Sequence, residues 1–351
     1  MPIIKSTSYN IYIGDPGLRS LNAFLKKNNY SHYYILCDEH TFEYCLPTLL
    51  FHSPVLNDAE IIELESGEDK KTLDTCFQVW GALTDTGADK KSLIINLGGG
   101  VISDLGGFVA STFKRGIDFI NVPTTLLSMV DASVGGKTGV DFEGIKNHIG
   151  TTCEPKGVFV NPGFLETLSE RQIKNGYAEI IKIALIADIL FWKELKKLKT
   201  IQEFSSENVI TKAIELKNGI VKKDLHENDL RKSLNFGHNI GHALESALIE
   251  QHKDILHGEA IAAGILMESE IAYELKRITK KDLEEITDYI KTIYKKIKIT
   301  KETETLLLRY ILHDKKNEGD SLCFALPDKV GNYKLYCGVL MDSIKKAISS
   351  H

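Results

Sequence analysis

Apolar residues recur along the first part of the chain in short runs, at 33–36, 60–64, 92–97, 119–122 and 158–160, each of a length suited to a buried strand. Between them, helical periodicity predicts helices over 18–27, 70–83 and 102–111. That alternation predicts a largely parallel sheet flanked by helices, an α/β domain of Rossmann-like type. Ligands on such sheets bind beyond the carboxyl ends of the strands. After Asn161-Pro162-Gly163 the pattern changes to successive amphipathic helices, expected over 170–195, 206–225, 236–250, 257–275, 281–295 and 302–312. The exception is a hairpin expected at 321–325 and 333–337, around Asp328-Lys329-Val330-Gly331-Asn332. The chain is therefore expected to form an α/β domain over 1–162 and a helical domain over 163–351.

Composition narrows the function classes more than the fold. With 351 residues, 43% hydrophobic and 26% charged, the chain is globular and long enough for two domains. A net charge of −5 without a sustained basic block argues against a sequence-independent grip on nucleic acid. Any phosphate-bearing ligand must then be held by local lysines and arginines. The N-terminus carries no signal-peptide core, and the most apolar helix candidate is interrupted by Lys182 and Asp188, so no membrane span is expected. Cys37, Cys45, Cys76, Cys153, Cys323 and Cys337 form no C-x-x-C pair and read as reduced thiols of a cytosolic protein.

Candidate chemistry gathers between Asn235 and Glu259. His238 and His242 are four positions apart on one expected helix and share a face, and His257 opens the next helix. Two antiparallel helices would bring three imidazoles together, a donor set suited to a divalent metal. Asn239 stands where a metalloprotease carries its glutamate, so peptide hydrolysis would lack its base. The plainer alternative is a capped helix with satisfied surface histidines. Upstream, Glu179 and Lys182 share a face amid apolar residues, and burial there requires partners. Glu179 could give the histidines an anionic ligand, or simply pair with Lys182.

The run over 92–97 leads into Gly98-Gly99-Gly100-Val101-Ile102-Ser103-Asp104. Glycines at a strand-to-helix turn admit a pyrophosphate, and the following helix N-terminus favours its charge. Ser103 occupies the last glycine position of a strict dinucleotide fingerprint. Further on, Gly136-Lys137-Thr138 resembles the tail of a P-loop, but Asp131 stands where the opening glycine is required. Lys137 and Lys146 remain candidates for anion binding, or solvated surface charge.

Six segments together resemble the 3-dehydroquinate synthases, a branch of the NAD-dependent sugar phosphate cyclases. They are Gly98 to Asp104, Val122-Pro123-Thr124-Thr125-Leu126-Leu127, Gly135 to Thr138, Asn175-Gly176-Tyr177-Ala178-Glu179-Ile180-Ile181-Lys182, Leu234 to His242, and His257-Gly258-Glu259. The resemblance spans 38–317 with the motifs in order. It implies a Zn²⁺ or Co²⁺ ion held by Glu179, His238 and His257, which moves His242 from the ligand set to a substrate-contacting acid/base role. NAD would be held by Asp38, Glu68, Lys71, Gly99, Gly100, Val101, Asp104, Thr124, Thr125, Lys146, Phe164 and Thr167. The substrate would meet Asp131, Lys137, Asn147, Lys182, Lys217, Arg231, Asn235, His242 and one of Lys315 and Lys316, for which Lys316 is preferred. Arg115 matches an arginine that reaches the neighbouring subunit's phosphate, which implies a homodimer, and Glu227 matches a proton acceptor. His40 departs from an asparagine frequent there.

The implied reaction converts 3-deoxy-D-arabino-heptulosonate 7-phosphate to 3-dehydroquinate and phosphate, through transient oxidation by NAD⁺, phosphate elimination, re-reduction and aldol closure. The implied setting is a cytoplasmic enzyme with a small sugar phosphate substrate and no nucleic-acid or membrane partner. A cyclase making aminodehydroquinate, deoxy-inosose or valiolone precursors is the rival within the family, although Arg231 with Asn235 suits a substrate carboxylate. Outside it stands a metal-dependent polyol dehydrogenase, which has no need of Lys137, Lys182, Lys217 and Arg231. A non-catalytic nucleotide-binding module would need none of the acid/base residues.

Overall fold

The apolar run Leu93–Gly98 is buried at every position, as a strand covered on both faces must be. In the computed structural model, which describes residues 2–143, 145–312 and 322–351, this run lies inside one seven-stranded sheet. The strands in chain order are β1 (Ile3–Lys5), β2 (Asn10–Ile13), β3 (Tyr33–Asp38), β4 (Glu60–Leu64), β5 (Leu93–Gly98) and β6 (Asp118–Pro123). A separate antiparallel hairpin follows, β7 (Lys137–Phe142) with β8 (Ile145–Thr152), and then β9 (Val158–Val160) completes the sheet. The order across it is β1-β2-β9-β6-β5-β3-β4, parallel everywhere except between β1 and β2. The largely parallel α/β expectation therefore holds.

The helices of this region are α1 (Asp15–Asn28), α2 (Glu39–Tyr44), α3 (Leu46–His52), α4 (Leu73–Asp85) and α5 (Gly100–Thr112). Leu36, Ile94, Leu105, Val109 and Phe119 share one core with Val79 and Leu83, which fixes α4 and α5 against the sheet. Helix α5 can lie unusually close to β5. A Cβ on Gly106 would stand 1.9 Å from Asn96 Oδ1, so only glycine fits. The β7–β8 hairpin was not expected from the sequence, because its facing Gly139 and Gly150 give no strand signal.

The remaining helices are α6 (Glu170–Ala187), α7 (Ile189–Leu195), α8 (Ile201–Phe204), α9 (Glu207–Lys223), α10 (His238–Glu250), α11 (His257–Glu274), α12 (Lys280–Ile293), α13 (Lys301–Leu312) and α14 (Met341–Ser350). The single helix expected over 170–195 is two. Asp188 breaks it by capping α7, its Oδ1 accepting from the amides of Leu190 at 2.9 Å and Phe191 at 3.1 Å. The late hairpin is present as β10 (Cys323–Lys329) and β11 (Asn332–Cys337), while Ser321 lies outside the described residues.

One expectation is corrected. Cys323 and Cys337 are directly opposed in the β10–β11 register and form a disulfide, so they are not reduced thiols. Antiparallel pairing brings the two Cα atoms to 4.0 Å, which scattered spacing along the sequence could not reveal. Cys37, Cys45, Cys76 and Cys153 are free, and burial pushes the first three thiols up to about 12.

The chain divides into two compact units. The first comprises Met1–Ser169 with Ser205–Asn218, the second Glu170–Phe204 with Gly219–His351. The expected division at 162 differs from this one by seven residues, and the segment 205–218 returns to the first unit.

Candidate active site

In the first unit, the residues matched to NAD binding collect at the carboxyl ends of the strands, where a parallel α/β sheet exposes its binding crevice. Asp38 ends β3 and caps α2, its Oδ1 accepting from Thr41 N at 2.8 Å. Gly99 precedes α5, which Gly100 and Val101 open. Thr124 follows β6 and donates its amide to Gly98 O at 3.0 Å, and Thr125 Oγ1 donates to Ser128 Oγ at 3.0 Å. Lys71, only 3% exposed, reaches Asp104 Oδ2 and Asn147 Oδ1, both at 2.6 Å. Burial opposes its charge, but Asp104 and Glu68 hold its ammonium up to about 12. Lys146 lies 3.6 Å from Glu68, and Phe164 and Thr167 share the short 3-10 helix Pro162–Thr167. Around this turn Ser103 Oγ and Thr124 Oγ1 are buried with no hydrogen-bond partner among the described residues. Orphaned hydroxyls beside a glycine turn at a helix N-terminus fit a bound dinucleotide.

Two further matched residues of this unit meet each other. Lys217 donates to the backbone oxygen and to Oδ1 of Asp131, each at 2.6 Å. Lys137 is exposed at the start of β7. Arg115 sits in three successive left-handed residues, Lys114, Arg115 and Gly116, whose carbonyls all accept from Lys90 Nζ.

The second unit is organised by close helix crossings. A Cβ on Gly258 would stand 2.0 Å from Asn175 O, and one on Gly264 would stand 2.0 Å from Gly237 O. Glycine at these two positions lets α11 touch the backbones of α6 and the start of α10. That contact gathers Glu179 from α6, His238 from α10 and His257 from α11. Glu179 Oε1 lies 3.5 Å from His238 Nε2 and 3.6 Å from His257 Nε2. The other carboxylate oxygen pairs with Lys182, and the two side chains are 2% and 3% exposed. His242 is also close, its ring centroid 4.9 Å from that of His238.

Two donor sets thus share His238 and His257. The three imidazoles offer nitrogens within 4.8 Å of one another, whereas Glu179 offers a buried carboxylate oxygen within 3.6 Å of two of them. The carboxylate set carries more weight, because Lys182 engages only one oxygen of Glu179 and leaves the other aimed at the two imidazole nitrogens, where a divalent cation would complete its coordination. Two imidazoles and a carboxylate suit Zn²⁺ or Co²⁺.

The electrostatics couple this cluster to protons. Burial opposes a charge on the His257 ring, but the carboxylates of Glu179 and Glu245 more than offset it and raise the ring to about 9. Below that pH the metal-free ring holds a proton that an incoming cation must displace. Divalent-ion affinity is therefore expected to climb with pH, about tenfold per unit, and to level off above about 9. Calorimetry in buffers of different ionisation enthalpy at neutral pH should record one released proton, and none would refute the coupling.

Beside the cluster, the loop after α9 presents the other matched residues. Asp224 accepts the amides of Asn228 at 2.9 Å, Asp229 at 2.8 Å and Arg231 at 3.0 Å, which orders the loop. Arg231 is 3% exposed and donates to Leu225 O at 2.6 Å. Asn235 donates to Glu227 Oε1 at 2.8 Å, and Glu227 has a left-handed backbone. Lys315 and Lys316 lie outside the described residues. Sequence reasoning missed Asp224, Glu245 and the buried Glu268, which accepts the amides of Gly237 and Ile240 at the start of α10. The last two were legible in part: Glu245 shares a helix face with His238 and His242, and Glu268 interrupts the apolar run Gly264-Ile265-Leu266-Met267.

A parallel sheet with a glycine turn, followed in the chain by a helical unit with buried carboxylate and imidazole side chains, is the fold class of the sugar phosphate cyclases. Among solved structures, the fold matches a 2-deoxy-scyllo-inosose synthase complexed with carbaglucose-6-phosphate, NAD⁺ and Co²⁺, with a TM-score of 0.87 at 24% identity, covering 99% of this chain and 100% of the other. A 2-epi-5-epi-valiolone synthase from Streptomyces hygroscopicus subsp. jinggangensis with NAD⁺ and Zn²⁺ bound gives 0.84 at 25% identity, covering 100% and 98%. The family models for the 3-dehydroquinate synthase N-terminal and C-terminal regions match residues 61–175 and 176–317. A 3-dehydroquinate synthase of Parabacteroides distasonis is 39% identical over 330 residues, 93% of each chain. The chain belongs to the 3-dehydroquinate synthase family.

Proposed function

We propose that the protein is a 3-dehydroquinate synthase, converting 3-deoxy-D-arabino-heptulosonate 7-phosphate to 3-dehydroquinate and phosphate in the shikimate pathway towards aromatic amino acids. The observation that carries the reading is the buried Glu179 oxygen between two imidazole nitrogens, in a chain that matches both family models. The α/β domain, 1–162, holds NAD through the residues grouped around Gly99 and Lys71, and the helical domain, 163–351, holds a divalent ion through Glu179, His238 and His257. When bound, NAD⁺ would supply hydride acceptance and return, and the ion would supply Lewis acidity towards a substrate oxygen.

The chain's own residues bind charge and move protons. Lys182, buried against Glu179, Lys137, Arg115 and Lys316 supply cations for a dianionic phosphate. Arg231 suits the substrate carboxylate, because a guanidinium binds it bidentately, and Asn235 supports the same end of the site. His242 relays the hydroxyl proton at neutral pH. Glu227 accepts a proton in its left-handed loop, a backbone state that costs energy and is typical of functional positions. Asp131, steadied by Lys217, and Asn147, bonded to Lys71, complete the polar lining. Arg115 acts across a homodimer, and the enzyme works in the cytoplasm. No helix among the described residues is long and apolar enough to cross a membrane.

Colorimetric phosphate release from the heptulosonate tests the reading. With a catalytic amount of NAD⁺, phosphate is expected in stoichiometric yield with no lasting absorbance of reduced cofactor. Accumulating NADH would instead identify a dehydrogenase, and release from a sugar phosphate without a carboxylate but not from the heptulosonate would identify another cyclase.

A further inference from the structure

Each of the two histidines next to Glu179 is the first residue of a helix, His238 of α10 and His257 of α11. That is an awkward place for a metal ligand, since the positive end of the helix dipole draws electron density from the ring. At both helix starts the structure answers with a buried glutamate from the other helix. Glu268 of α11, fully buried, accepts from Gly237 N at 2.7 Å and Ile240 N at 3.0 Å at the start of α10. Glu245 of α10, 2% exposed, brings Oε2 to 3.3 Å from His257 Nδ1.

The ring nitrogens follow from these partners. His238 Nδ1 lies 3.0 Å from Phe236 O, and a carbonyl only accepts, so Nδ1 carries the proton and Nε2 keeps its lone pair towards Glu179. Glu245 imposes the same choice on a neutral His257 ring, with Nε2 again on the Glu179 side. A carbonyl would fix the tautomer equally well. A carboxylate adds negative charge, which restores the basicity that the helix start removes.

We propose that Glu245 is a positioning residue of the metal centre, orienting the His257 ring through Nδ1 and strengthening Nε2 as a donor. The assignment rests on the reading of Glu179, His238 and His257 as the ligands. Hydrogen-bonded carboxylates behind ligand histidines change metal affinity about 10–100-fold when removed.

The test strips the protein of metal and titrates Co²⁺ against a competing chelator in wild type, Glu245→Gln, Glu245→Ala and Glu179→Ala. Glu245→Ala is expected to weaken Co²⁺ by about 10–100-fold. Glu245→Gln keeps shape and an acceptor but not the charge, so it should weaken Co²⁺ less and still shift the visible Co²⁺ absorption. The metal-free thermal midpoint of Glu245→Gln should stay close to wild type, as should NAD⁺ affinity. Wild-type Co²⁺ affinity and spectrum in the Gln variant would overturn the charge role, and the same in the Ala variant would overturn the assignment altogether. Wild-type affinity in Glu179→Ala would overturn the ligand reading itself, which the Glu245 variants alone cannot do.

Discussion

Replacing Glu179 by alanine is expected to yield a protein without bound divalent ion and without turnover. The carboxylate supplies the anionic oxygen between the two imidazole nitrogens and also the counter-charge of Lys182. Its removal leaves an ammonium 3% exposed and unpaired, which costs about 3 kcal/mol of stability. His238→Ala separates the two consequences, because it removes a ligand and leaves the pair with Lys182 intact. Metal per chain by atomic emission, read beside circular dichroism, should show both variants folded and metal-free. Full metal content in either would remove that residue from the ligand set.

Gly264→Ala is expected to be nearly as damaging, although it touches no reacting group. The added methyl would sit 2.0 Å from Gly237 O and 2.8 Å from Gly241 N, both backbone atoms at the start of α10 that cannot swing aside. Helix α11 must then move away from the helix that carries His238 and His242. A loss of about 3 kcal/mol in urea unfolding is expected, together with weaker Co²⁺ binding. Gly219→Ala on α9 is the matched control. Nothing lies within 4 Å of its added methyl, so helix propensity predicts a neutral change or a gain of up to about 1 kcal/mol. Equal behaviour of the two variants would show that the close crossing does not set the geometry.

The parts of the molecule that could be read from sequence are those encoded locally. The runs at β3, β5 and β6 and the amphipathic patterns of α10 and α11 carry their own period, and they fold as that period dictates. The β7–β8 hairpin escaped because its glycines face one another and neither has a side chain to alternate. The Cys323–Cys337 bond escaped because register, not spacing, brings its partners together. The candidate site divides along the same line. His238 and His242 announce themselves by helical spacing, but the approach of Glu179 depends on glycines that look ordinary in sequence. Backbone strain was also hidden. Arg115, Asn147 and Glu227 all have positive φ, and only the asparagine is of a type that favours it.

The return of 205–218 to the first unit bears on how far this protein can be dissected. That segment supplies Lys217 to Asp131, and Asn218 donates its side-chain amide to Lys5 O at 3.0 Å. A fragment ending at Ser169 would lack both, although one of the two family models covers little beyond it. The two regions are thus separable as stretches of homology and inseparable as autonomous fragments. Gene fusions, swaps and truncations that treat the N-terminal half as a self-sufficient cassette would leave it missing a piece that is encoded some forty residues downstream.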